Sequence, residues 1–141
     1  GVPAPPPAPL DPDTAGGVPW IAEPHPVVLR AGLAGALLGE CAAPLGPRLG
    51  FLGPRAPSDP PATQPLLRVW RVLDTSSADP KRVRRLLTEA GIGPVRIHVR
   101  GHPEDAGTLE KRFRGKGESP GTVLVARLAR GHRAYLVEEA S

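Results

Sequence analysis

Cysteine, methionine and aromatic residues are all scarce in this sequence of 141 residues. It holds one cysteine, no methionine and only 4 % aromatic side chains. Cys41 alone can form neither an internal disulfide nor a cysteine-based zinc site, and such sparing use of cysteine is typical of a reducing cytosol. Because methionine is absent even at position 1, we expect either a removed start residue or a piece of a longer chain.

Long apolar segments are also missing. The longest apolar stretch, residues 27–38, is interrupted by Arg30 and is well short of the ~20 residues that span a bilayer. The N-terminus lacks the basic segment followed by an apolar stretch that marks a secretory signal. We therefore expect a cytoplasmic protein with no membrane partner.

The sequence shows no residue set that predicts catalysis or metal binding. It has neither the GxxxxGK[ST] phosphate loop nor a GxGxxG turn, and it lacks the acidic-Gly-x-Gly turn with which class I methyltransferases hold their cofactor. His98 and His102 are four residues apart, but the flanking Gly101 and Pro103 argue against a helical ligand pair. We predict no catalytic, cofactor-binding or metal-binding residue in the chain. A small enzyme of unfamiliar type stays open, and its first candidates are the same two histidines.

Proline and charge divide the chain near residue 65. Of the 20 prolines, 16 lie at or before Pro65, and residues 66–141 carry fifteen basic and nine acidic side chains, a net charge of +6. Residues 1–19 contain seven prolines and no apolar run, so they cannot bury enough surface to offset their ordering entropy. We predict a proline-rich linker or disordered tail over residues 1–19 and one folded domain over residues 20–141.

The sequence pattern of residues 20–141 predicts an α/β domain with a small mixed sheet and helices packed on it. The apolar residues 27–38 predict a short buried helix, and residues 39–65 predict irregular, proline-rich chain. After them the pattern predicts strand 66–75, helix 80–90 with Asp79 as its N-cap, strand 93–101 and helix 103–114. A hairpin around residues 130–132 closes the chain.

Basic side chains are the positive functional signal. They lie off the apolar stripe of helix 80–90, on one face of strand 93–101 and in residues 109–118. Such clusters bind phosphate backbones through counterion release. A solvated charged face, enriched in arginine by codon usage, and a protein contact are the alternatives. The predicted RNA-binding residues are Arg82, Arg85, Arg96, Arg100, Lys111, Arg112, Arg114 and Lys116.

A resemblance to a known family rests on the opening of the predicted domain. Residues 20–33, WIAEPHPVVLRAGL, resemble the aromatic-x-x-Glu-Pro-Asp-x-x-Val-Ile-Arg-Ala-Gly opening of the THUMP-like domain. The likeness continues through WRVL (70–73), GIG (91–93) and the Arg-Gly pair at 100–101 to the closing hairpin, about residues 20–139. The family's aspartate is His25 here, and its more basic strand before Arg-Gly is reduced to His98-Val99.

The resemblance implies an accessory domain at the C-terminus of a class I S-adenosylmethionine-dependent methyltransferase. It implies no cofactor in this chain, with S-adenosylmethionine in a catalytic domain present in cis or in trans. It also implies RNA as partner, with tRNA as the first candidate. Our leading hypothesis is a non-catalytic RNA-binding domain that positions the substrate. The alternative is a protein-interaction module that docks on a catalytic methyltransferase subunit through the first helix.

Overall fold

The computed structural model describes residues 8–30, 41–46 and 50–140. These residues form four short helices and seven strands. In chain order they are α1 (Pro12–Gly16), β1 (Trp20–Pro24), α2 (Pro26–Arg30), β2 (Ala42–Pro44), β3 (Leu52–Pro54), β4 (Leu67–Ser77), α3 (Pro80–Glu89), β5 (Ile92–Arg100), α4 (Ala106–Arg112), β6 (Ser119–Leu128) and β7 (Gly131–Glu139).

All seven strands form one mixed sheet in the order β2-β3-β1-β4-β7-β6-β5. The outer pair, β5 and β6, is parallel and connected by α4, and the other neighbours are antiparallel. The predicted α/β class with a small mixed sheet is therefore confirmed. The closing hairpin is also confirmed, with Gly131 at a φ of 109° in the turn that joins β6 to β7.

The sheet coils until β1 approaches the edge strand β5. Glu23 of β1 contacts His98 of β5, although β4, β7 and β6 lie between these strands in the sheet order. The coiled face encloses a core built around the buried side chains of Ile21, Phe51 and Tyr135. The Tyr135 hydroxyl donates to the carbonyl oxygen of Ala15 at 2.6 Å, so α1 closes part of this core. Coiling thus brings β1 and β5 together as two walls of one groove.

Helices α3 and α4 cover the opposite face of the sheet. Their apolar stripes, including Leu87 and Leu109, pack on Val123 and its neighbours in a second core. Asp79 and Asp105 cap the two helices by accepting backbone N–H groups, which satisfies donors that would otherwise be unpaired. Helix α3 and its cap Asp79 lie where local sequence signals predict them. Helix α4 is shorter than the predicted span 103–114, and its cap Asp105 lies inside that span.

The structure differs from the linker prediction over residues 10–18. Leu10, Ala15 and Val18 are buried in the coiled core, and the N–H of Leu10 donates to the carbonyl oxygen of Pro44 at 2.8 Å. These residues are ordered by partners far along the chain, which outweighs their proline content. Residues 1–7 lie outside the described part of the chain.

Two strands, β2 and β3, arise within residues 39–65, where irregular chain was expected, and β1 forms at the start of the predicted domain. β1, β2 and β3 pair with one another and with β4, and prolines end each of them because proline lacks the N–H that would continue the ladder. The buried helix predicted over residues 27–38 begins as α2 and is described only to Arg30. Its remainder lies outside the described residues.

Candidate nucleic-acid interface

The eight basic residues predicted to bind RNA fall into two groups on opposite faces of the sheet. Alternate side chains of a strand point to opposite faces, and Ile97 of β5 packs in the helix-covered core. Arg96 and Arg100 therefore lie on the coiled face. The other six lie on α3, α4 or the loop after α4: Arg82, Arg85, Lys111, Arg112, Arg114 and Lys116. We call these six the helix-side group.

Two contacts join the elements that carry the helix-side group. Arg84 of α3 donates from Nη1 to the carbonyl oxygen of Arg112 at 2.9 Å, which joins α3 to the end of α4. The backbone N–H of Lys116 donates to Thr88 Oγ1 at 3.1 Å, which holds the following loop against α3. Arg84 is thus a member of this surface that the predicted set omits.

Most cations of the helix-side group remain available to a ligand. Within the described residues, only Arg85 and Arg112 of the six have a carboxylate partner within 4 Å, namely Glu89 at 3.2 Å and Glu104 at 2.6 Å. The Arg85–Glu89 pair is solvent-exposed and contributes little free energy, so a phosphate can compete for Arg85. All six residues are exposed, which fits a surface that a polyanion could cover.

A groove runs along the free edge of β5, lined by Arg96, His98 and Arg100 of the coiled face and by Ala106 and Glu110 of α4. It has a volume of about 980 Å³, and Glu110 of α4 lines its rim and accepts the Ile97 N–H at 3.0 Å. This carboxylate covers part of the unpaired edge of β5. A smaller hollow of about 430 Å³ adjoins it, lined by residues 63–68 and by Glu139. Three residues line both: Glu23, His98 and Arg100.

Glu23 accepts contacts from three side chains at the ridge between the two hollows. His98 Nδ1 lies 3.0 Å from Oε1 and 2.9 Å from Oε2, and Trp70 Nε1 donates to Oε1 at 3.1 Å. Arg100 Nη2 lies 3.7 Å from Oε2, while its guanidinium also stacks over Phe51. The edge of the Trp70 ring meets the His98 ring at 5.4 Å between centroids. The four side chains form one cross-sheet cluster.

The pKa of Glu23 reflects opposing influences. Burial is the largest and would raise it, but the hydrogen bond and charge of His98, the Trp70 N–H and the charge of Arg100 together outweigh burial. The net result is a pKa below the ordinary value of 4.5. Glu23 is therefore an anion in the folded protein at neutral pH.

This lowered pKa predicts an acid-sensitive contribution to stability. Because the pKa is lower in the folded than in the unfolded chain, the contribution is complete above 4.5 and is lost as pH falls through the folded-state pKa. We expect Glu23→Gln to lower the free energy of unfolding at pH 7 and to flatten its decline below 4.5. Urea unfolding across this pH range measures both, and an unchanged acid limb would contradict the assignment. Asp59→Asn, an exposed carboxylate, is the control.

The cross-sheet cluster could not be assembled from the sequence. Alternation in β5 correctly places Arg96, His98 and Arg100 on one face, but Glu23 lies 75 residues before His98. No local spacing connects the two, and only the coiling of the sheet does so.

Two further patterns in the chain do not form a catalytic site. Residues 117–121, GESPG, match the GxSxG motif of serine hydrolases, yet Ser119 begins β6 instead of preceding a helix. The rings of His102 and His132 lie 4.5 Å apart, and burial and the charge of His132 lower the pKa of His102. Nowhere in the described ranges do three or more His, Cys, Asp or Glu side chains gather as metal ligands. Nor is any helix within those ranges long and apolar enough to cross a membrane.

Comparison with known proteins identifies the family. The sequence pattern of the THUMP domain-like family matches residues 67–139, just over half of the chain. The chain belongs to this family, as its opening motif predicts. The matched residues run from β4 through the final hairpin and include all eight predicted RNA-binding positions.

Methyltransferases are the relatives of this chain. An uncharacterised S-adenosylmethionine-dependent methyltransferase of Mycobacterium tuberculosis, found in two strains, is 33 % identical over 133 residues. That alignment covers 89 % of this chain but 35 % of the relative, so the chain spans about a third of the length of the curated relatives it matches. The crystal structure of a proposed methyltransferase from Porphyromonas gingivalis W83 shares the fold, with a TM-score of 0.65 at 16 % identity, over 99 % of this chain and 32 % of that one.

Proposed function

We propose that this chain is a non-catalytic RNA-binding domain that positions the substrate of an S-adenosylmethionine-dependent methyltransferase. The observation that carries the proposal is the helix-side group, six exposed basic residues gathered on one face of a domain whose relatives are methyltransferases. RNA, with tRNA as the specific candidate, supplies the regular array of phosphates that such a face neutralises. The site of action is the cytoplasm.

The domain would act by binding and orientation instead of by bond chemistry. Holding RNA next to a catalytic domain raises the effective concentration of the target nucleotide at the reacting centre. S-adenosylmethionine would be held by that catalytic domain, which lies in cis or in trans, since no group in this chain is assigned to it. Because the chain covers only 35 % of its relatives, there is ample length in them for a separate catalytic domain.

A pair of matched charge reversals tests the proposal. We expect Lys111→Glu combined with Lys116→Glu to weaken tRNA binding about a hundredfold at constant salt, roughly tenfold for each lost phosphate contact. Fluorescence anisotropy with labelled tRNA measures the affinity. Arg71→Glu combined with Arg130→Glu makes the same change in net charge on exposed residues outside the predicted set. The control pair should bind much more tightly than the test pair.

Two outcomes would redirect the proposal. If the test pair and the control pair weaken tRNA binding equally, binding responds to net charge alone. The helix-side group would then not be the interface. A wild-type protein that binds no tRNA at low salt, but forms a stable complex with a catalytic methyltransferase domain, would favour the docking-module alternative.

A further inference from the structure

We infer that His98 and Arg100, held in place by Glu23, form a subsite that selects ribonucleotides over deoxyribonucleotides. Arg100 binds a backbone phosphate, and His98 Nε2 bonds the 2′-hydroxyl of the same nucleotide. Glu23 is the positioning residue. The inference rests on the proposed RNA-binding function and assigns a role to a face of the domain away from the helix-side group.

The exposed fraction of the side chain increases from Glu23 to His98 and then to Arg100. The side chain of Glu23 is 12 % exposed, that of His98 21 % and that of Arg100 35 %. The carboxylate is thus the buried base of the cluster, and the other two side chains reach the hollows that they line. A ligand entering the groove would meet His98 and Arg100 before Glu23.

The orientation of the His98 ring leaves one nitrogen for a ligand. Nδ1 is held by both oxygens of Glu23, and the ring edge contact with Trp70 restricts rotation. In the described part of the chain, Nε2 has no hydrogen-bond partner. A carboxylate that fixes one imidazole nitrogen in this way sets the direction of the other.

The chemistry of Nε2 favours a hydroxyl. Nδ1 donates to the Glu23 carboxylate, so Nε2 of a neutral ring is an acceptor. A phosphate oxygen also only accepts, and it would therefore need a protonated imidazole. A ribose 2′-hydroxyl donates and accepts, so it pairs with Nε2 in either protonation state, and it is the group by which proteins tell RNA from DNA. Arg100 carries five N–H donors, of which the described contacts engage only part, and it suits the phosphate.

Glu23 holds the two groups side by side. His98 Nδ1 and Arg100 Nη2 lie 2.9 and 3.7 Å from the same oxygen of Glu23, so one carboxylate anchors both side chains. A 2′-hydroxyl and the phosphate on the adjacent ribose carbon are neighbours in any RNA strand. The shared anchor therefore directs both groups towards one nucleotide.

The test compares two oligonucleotides that differ only in the 2′ position, oligo(U) and oligo(dU). We expect the wild-type protein to bind oligo(U) about tenfold more tightly, as for one hydrogen bond gained or lost. His98→Phe should abolish this preference while keeping the ring contact with Trp70. Anisotropy at one fixed salt concentration gives the ratio of the two dissociation constants, and circular dichroism confirms that each variant is folded.

Glu23→Gln separates positioning from simple charge. It removes a negative charge, which by itself should strengthen binding to both strands, yet we expect the preference for oligo(U) to fall towards one because the ring is released. Glu139→Gln makes the same charge change at the rim of the adjoining hollow without touching His98 and should retain the preference. Should Glu23→Gln not fold, His98→Phe decides the matter alone.

Each result has a separate meaning. Equal wild-type binding of oligo(U) and oligo(dU), or a preference that survives in His98→Phe, would overturn the subsite while leaving the proposed function intact. A wild-type protein that binds neither oligonucleotide nor tRNA at low salt would overturn both proposals together.

Discussion

Raising the salt concentration from about 50 to about 200 mM should weaken tRNA binding on the order of a thousandfold. This is the loss expected when six cations each neutralise a phosphate and release its condensed counterion. The helix-side group supplies that number, and all six members are exposed. Arg96 and Arg100 of the groove acting alone would give only about a tenfold loss over the same range.

The slope of the logarithm of affinity against the logarithm of salt concentration therefore gives the number of phosphate contacts. Anisotropy titrations at four or five salt concentrations give it directly. A thousandfold loss supports the helix-side face as the main interface, whereas a tenfold loss would assign phosphate binding to the groove. An unrelated acidic protein controls for changes in the probe itself. Affinity that does not respond to salt would contradict phosphate binding by either group.

Local signals were enough to predict the elements of the second half of the chain. In α3, the cap Asp79, the apolar positions Val83, Leu86 and Leu87, and the stop at Gly91 all lie within thirteen residues. Each acts on the backbone of its own helix, so no distant contact needs to be known. The same holds for β5, where the alternation of basic and apolar residues follows the strand period.

The strands of the first half depend on distant partners. β2 and β3 have three residues each, and the pairing of Ala43 with Gly53 and of Ala22 with Leu52 decides their conformation. Strand preference in such short segments is a property of the neighbours they pack on. Proline content gave the opposite expectation, because composition says nothing about which buried surface a segment will meet.

The candidate interface also combines features that local sequence predicts with features that depend on distant contacts. The members of each basic group could be read from helix and strand periodicity, but the sheet that separates the groups is visible only in the fold. The contact of Arg84 with Arg112 and that of Glu23 with His98 join residues 28 and 75 positions apart. These two contacts define the surfaces, and both follow from tertiary packing.

Replacing Gly117 by alanine should destabilise the domain by about 3 kcal/mol or more. Residues 91–93 and 115–117 lie against each other backbone to backbone. The N–H of Gly115 donates to the carbonyl oxygen of Gly93 at 2.9 Å, and that of Gly117 donates to Ile92 at 3.1 Å. A methyl group on Gly117 would overlap the backbone atoms of Gly91 and Ile92, which cannot rotate away as a side chain could. Urea unfolding of the two proteins measures the difference.

Gly107→Ala is the matched control for this substitution. Gly107 is exposed in α4, and an added methyl group there would meet only the Asp105 carboxylate at ordinary contact distance. Alanine favours a helix over glycine by up to about 1 kcal/mol, so this variant should be as stable as the wild type or more so. A small effect of Gly117→Ala would mean that the two segments can separate without cost. Because Lys116 lies between the two packed glycines, a large effect ties the position of a predicted RNA contact to the stability of the fold.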